Sequence, residues 1–193
     1  MSISAGFFAL PLFTLVLVVV SGTNVAAGNA DAPSSSSEFR EHFLKPHNTA
    51  RYNVNKRFSG GRGPLGKLKW NTTVAAYAEE YARKMSRPGV DCSELVHSGS
   101  DIYGENLAWC SGEMSPEEAV KMWVDEKKYY SYNQNACAGG QMCGHYTQVV
   151  WQKTRFVGCA KALCNKNKLE NTSATFITCN YYPPGNYIGE RPY

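Results

Sequence analysis

The chain has 193 residues, of which 43% are hydrophobic and 19% charged, with a formal net charge of +4. No block of five or six like charges occurs, which leaves little support for nucleic-acid binding or a strongly electrostatic membrane role, both of which draw on clustered Lys and Arg. The length suits one domain, by the usual prior of roughly 100–200 residues each.

Residues 6–20 form an apolar run that includes Phe7, Phe8, Leu10, Leu12, Phe13 and the stretch from Leu15 to Val20, followed by small residues at Val25 and Ala27. A run shorter than the about 20 residues that span a bilayer, ahead of small residues, is a signal-peptide pattern. Cleavage is expected after Ala27, although no Lys or Arg precedes the run. The product would be exported and soluble. The stretch from Ala32 to Ser37 reads as a mobile leader over 28–37, with order beginning near Glu38.

Phe39, Phe43, Leu44, His47, Ala50 and Val54 recur at helical spacing, and Pro46 is expected to break that helix into two pieces. Ser59 to Pro64 reads as a loop. Val74, Ala75, Ala78, Tyr81, Ala82 and Met85 make the apolar face of a second helix, ended by Pro88-Gly89. Ser115, Pro116 and Glu118 form a capping box that opens a third, with Val120, Trp123 and Val124 on one side. Tyr146–Trp151, Phe156–Lys161 and Ala174–Tyr181 are rich in Val, Thr, Ile and aromatics, as strands are. Helices followed by strands predict an α+β layered domain.

All seven cysteines follow the apolar segment, where an oxidising compartment lets them pair. Six paired cysteines allow 15 connectivities, which sequence alone does not resolve. Asn71-Thr-Thr73 and Asn171-Thr-Ser173 are glycosylation acceptors in an exported chain, and Asn71 is also placed to cap the second helix.

Four boxes in order carry a resemblance: His47-Asn48-x-x-Arg51, Gly104-Glu105-Asn106-Leu107, the run from Gly144 to Thr154, and the run from Phe176 to Tyr187. Over residues 38–193 the chain resembles the CAP superfamily of secreted cysteine-rich proteins, and within it the plant pathogenesis-related class 1 proteins. The resemblance implies a three-layer α-β-α sandwich with a central antiparallel sheet, pinned by Cys92–Cys164, Cys137–Cys143 and Cys159–Cys179. Cys110 falls outside that pattern, as a buried thiol or as a partner in a mixed or intermolecular disulfide.

The family's cavity tetrad maps onto His97, Glu105, Glu126 and His145. Two imidazoles and two carboxylates can hold a weak, pH-dependent Zn²⁺ or other divalent ion, or can form a hydrogen-bond network that orders the cavity with no cofactor required. Asp125 is expected to be solvated. His47 and Asn48 are expected to close backbone hydrogen bonds, and Arg51 to pair with a nearby acid. A Ser98-His97-Glu105 hydrolase finds no G-x-S-x-G elbow or comparable motif, so an enzyme is not expected.

Tyr129, Tyr130 and Tyr132 sit on an aromatic loop that the family resemblance associates with sterol or other lipid binding; ordinary packing is the alternative. The tail from Pro183 to Tyr193 resembles the C-terminal peptide that plant members release, with the cut between Tyr182 and Pro183 and a receptor as its partner. The expectation is thus a monomeric plant defence protein, antifungal or anti-oomycete, secreted to the apoplast or diverted to the vacuole.

Overall fold

The computed structural model describes residues 36–57, 63–165 and 173–193. The expected signal segment, most of the expected leader, residues 59–62 of the expected loop, and Asn171 lie outside the described residues.

The first helix, α1 (Ser37–Asn55), is capped by Ser36, whose hydroxyl accepts the Phe39 N–H at 3.0 Å. It continues through Pro46 as one helix, where two pieces were expected. Around the proline, His47 Nδ1 donates to the Phe43 carbonyl and Thr49 Oγ1 to that of Lys45, and burial of Phe43, Ala50 and Val54 holds both halves on one core. A short strand β1 (Lys69–Trp70) leads into α2 (Thr72–Met85), whose first N–H groups are capped by Asn71 Oδ1.

The chain continues through β2 (Gly104–Ser111) and α3 (Pro116–Asp125), which begins with the expected capping box. A two-stranded hairpin follows, β3 (Tyr130–Ser131) and β4 (Ala136–Cys137), then α4 (Gly144–Val149), β5 (Phe156–Asn165) and β6 (Ser173–Tyr182). The main sheet has the order β1-β5-β6-β2. β2, β5 and β6 pair antiparallel, but β1 runs parallel to β5, so the sheet is mixed where an antiparallel one was expected.

Alternation along the central strand β6 creates the layers. Ala174 and Phe176 face one core with Ala78, Tyr81 and Ala82 of α2. Ile177, Cys179 and Tyr181 face the other, with Phe43, Val120, Trp123 and Tyr146 of α1, α3 and α4. Helix α2 lies so close to the sheet that a Cβ on Gly158 would meet the Ala75 nitrogen at 2.1 Å, which only glycine permits.

Three disulfides form, Cys92–Cys164, Cys137–Cys143 and Cys159–Cys179, the pairing that the resemblance implies. Cys110 is unpaired and half-buried on β2, its Sγ near the Gly112 and Glu113 carbonyls.

Candidate functional site

The segment 146–151, expected as a strand, is mostly the helix α4. Thr147, Val149 and Val150 favour strands, but tertiary contacts override that preference. The N-cap Cys143 offers no side-chain bond, and Glu126 takes its place: Oε2 accepts the His145 N–H at 3.0 Å and the Tyr146 N–H at 3.2 Å. Its Oε1 accepts from His145 Nδ1 at 2.7 Å. The His145 ring lies near-parallel to Trp123, which is itself packed against His47.

The second acid–imidazole pair joins β2, through Glu105, to His97 in the segment before it. Glu105 Oε1 accepts from His97 Nδ1 at 2.8 Å and from the Ser98 N–H at 2.9 Å, and Oε2 accepts from Asn180 Nδ2 at 3.3 Å. Burial pushes Glu105 up, but these bonds from His97, Ser98 and Asn180 outweigh it and hold the carboxyl below its ordinary value. The Glu105 hydrogen bond raises His97. The Glu105 side chain is 5% exposed and that of His97 62%, so the imidazole stands at the solvent edge.

The box residues reach the first of these pairs, at the His145 backbone. His47, fully buried, donates from Nδ1 to the Phe43 carbonyl, so its Nε2 must accept from Tyr181 Oη at 2.8 Å; that oxygen in turn accepts from Asn106 Nδ2 at 3.1 Å. Asn106 Nδ2 also donates to the His145 carbonyl. Desolvation lowers His47 to about 4, which keeps it neutral. Asn48 closes two bonds with the backbone of Leu68. Arg51, expected to meet an acid, donates instead to the carbonyls of Gly66, Val149, Trp151 and Thr154, bracing the chain after α4.

Two features bear on a divalent ion. A carboxylate can only accept, so donation from Nδ1 leaves Nε2 of a neutral His97 or His145 with its lone pair free for a metal. Asn180 Oδ1, buried beside Glu105, has no hydrogen-bond partner. Yet among the described residues no three His, Cys, Asp or Glu side chains converge as a ligand set. Each pair thus offers one imidazole nitrogen, short of the four-ligand set of a closed zinc centre. Asp125 is exposed and pairs with Lys121.

The loop tyrosines divide. Tyr130, Tyr132, Tyr146 and the C-terminal Tyr193 line a cavity of about 720 Å³, rimmed by Arg57 and Lys127. Tyr132 stacks on Tyr193 with ring centroids 5.0 Å apart, and Tyr130 donates to Asn135 Oδ1 at 2.8 Å. Tyr129 does not line the cavity; its ring meets Lys128 instead. Sequence reasoning missed Tyr146 and Tyr193, because each lies far along the chain from the loop. A second, more apolar groove of about 650 Å³ runs between α1 and α3, with no aromatic lining.

A disulfide-pinned sheet with helices on both faces and two separate acid–imidazole pairs, one at the start of α4 and one at β2, defines a class of small cysteine-bridged α-β-α domains. The model of the cysteine-rich secretory protein family, CAP, matches residues 44–181. Pathogenesis-related protein PR-1 of Medicago truncatula is 43% identical over 187 residues, covering 96% of this chain and 97% of that one. Pathogenesis-related protein 1A of Nicotiana tabacum is 44% identical over 192 residues, covering 97% of each. Venom allergen-like protein 4 of Schistosoma mansoni superposes with a TM-score of 0.56 at 31% identity, over 78% of this chain and 90% of that one. The chain belongs to the CAP family, in its plant pathogenesis-related class 1 branch.

Proposed function

We propose that this chain is a secreted plant defence protein of the extracellular space, acting without catalysis by binding and sequestering a sterol or another lipid in the tyrosine cavity. The observation that supports this most is the convergence of Tyr130, Tyr132, Tyr146 and Tyr193 on one hollow, beside a loop clamped by Cys137–Cys143. Rigid aromatic faces with a few polar groups suit a flat apolar ligand. The named relatives support the defence setting. A hydrolase is disfavoured because the Ser98 hydroxyl meets Tyr77 and Glu105 rather than the His97 ring, so the required nucleophile–base contact is not formed.

The test is growth inhibition of an oomycete that imports sterol. Inhibition relieved by added sterol supports the reading. Inhibition indifferent to sterol, or none, overturns it.

A second reading, a precursor of a signalling peptide from residues 183–193 read by a receptor, is compatible with the first. It is favoured by the tail's lack of strand or helix and by the full exposure of Ile188. The junction itself is tied down: the Tyr182 carbonyl accepts from the Arg155 N–H and the Pro183 carbonyl from Thr154 Oγ1, each at 2.9 Å. Cleavage there would require the tail to loosen first.

A further inference from the structure

The tyrosine cavity carries more positive charge than its own residues balance. Arg57, Lys127 and Lys128 line it, and Arg191 lies over the Tyr132 ring at 5.3 Å from the centroid. Arg191 also donates to the Tyr132 and Asn133 carbonyls, which hold it in place without cancelling its charge. Arg57 and Lys127 are close enough to feel one another's charge. Among the described residues none of the four forms an ion pair with a carboxylate, and the one acidic side chain on the lining, Asp125, is bound to Lys121.

Like charges gathered without a counter-charge repel, and more so over a partly dry aromatic floor than in open water. A ligand that brings the missing negative charge relieves that repulsion and gains charge-assisted hydrogen bonds. A purely neutral lipid would cover the tyrosines and leave the cations as they are. We propose that the cavity takes an anionic amphiphile, whose flat apolar body lies on Tyr130, Tyr132 and Tyr193 and whose sulfate, phosphate or carboxylate group meets Arg57, Lys127 and Lys128. This rests on the lipid-binding reading and names the ligand class within it.

The experiment compares cholesterol 3-sulfate, cholesterol and inorganic sulfate in equilibrium dialysis against the purified, disulfide-intact protein. The two sterols share one apolar body and differ at the anionic group. The sulfate ester is expected to bind roughly tenfold more tightly at low salt, with the advantage shrinking as salt screens the rim. Lys127→Ala with Arg57→Gln should bring the affinities for the two sterols together, read as their ratio within the one variant, and Lys127→Arg should keep them apart. The salt series on the unaltered protein needs no variant to fold.

Equal affinity for both sterols overturns the anionic proposal and leaves the lipid reading standing. Binding of neither sterol overturns both. Inorganic sulfate bound as tightly as the ester would also overturn it, since the apolar body would then contribute nothing.

Discussion

Glu126 and His145, at the ends of successive helices, are joined twice: through the ring Nδ1 at 2.7 Å and through the backbone N–H at 3.0 Å. One carboxylate thus orients an imidazole and caps the helix that carries it. Loss of a cap costs about 1 kcal/mol, and a half-buried donor left without a partner about 1–3 kcal/mol more. Glu126→Ala should therefore lower stability in urea unfolding by about 2–4 kcal/mol, and Glu126→Gln, which keeps one acceptor, by less. A change below about 0.5 kcal/mol for the alanine variant would show that α4 does not depend on this cap.

The histidines oppose one another in their pH dependence. His47 has a folded pKa of about 4 against 6.5 when unfolded, so the unfolded chain takes up the proton first as pH falls. Stability should decline between those values by about 3 kcal/mol in all. Glu105, held below 4.5, adds a contribution that is present above that value and lost as pH falls through its folded pKa. His97 is raised by Glu105, so its contribution is present below 6.5 and lost as pH rises through the folded value. Urea unfolding at a series of pH values should show the acid-side decline flattened in His47→Gln, at reduced stability near neutrality. An unchanged slope in that variant would remove His47 as its source.

The disulfides should differ in what they contribute. Cys92–Cys164 spans 72 positions and Cys137–Cys143 spans 6. Restriction of the unfolded chain then gives about 4 kcal/mol for the first and about 2 kcal/mol for the second. Paired Cys→Ala variants compared by denaturant unfolding should follow that order, with the Cys137 and Cys143 pair losing sterol binding more than stability. The reverse order would mean that native-state strain outweighs chain entropy here.

Much of the fold was legible in the sequence because its signals are local. The apolar face of α2 and the Ser115–Glu118 capping box need only neighbours within one or two turns. Two local signals misled. Pro46 reads as a break, yet packing of Phe43 and Ala50 on one core carries α1 through it. Thr147 and Val149 read as strand, yet Glu126 and the burial of α4 make it a helix. The parallel β1–β5 pair and the Arg51 carbonyl cluster were illegible, since they join segments far apart in the chain. The candidate site divides the same way. His97, Glu105, Glu126 and His145 stand out through their boxes, but only the fold shows that each carboxylate already holds its imidazole. Tyr193 as a cavity wall follows from where β6 delivers the tail.

The most direct measurement is equilibrium binding of a radiolabelled sterol to the disulfide-intact protein and to Tyr132→Ala, Tyr193→Ala and Tyr129→Ala variants. Sterol binding in the tyrosine cavity predicts saturable uptake that drops about tenfold or more with loss of the stacked pair Tyr132 and Tyr193, as for truncation of a central aromatic contact. Tyr129, which does not line the cavity, should be replaceable without effect. No binding by the unaltered protein, or binding indifferent to Tyr132 and Tyr193, would contradict the account.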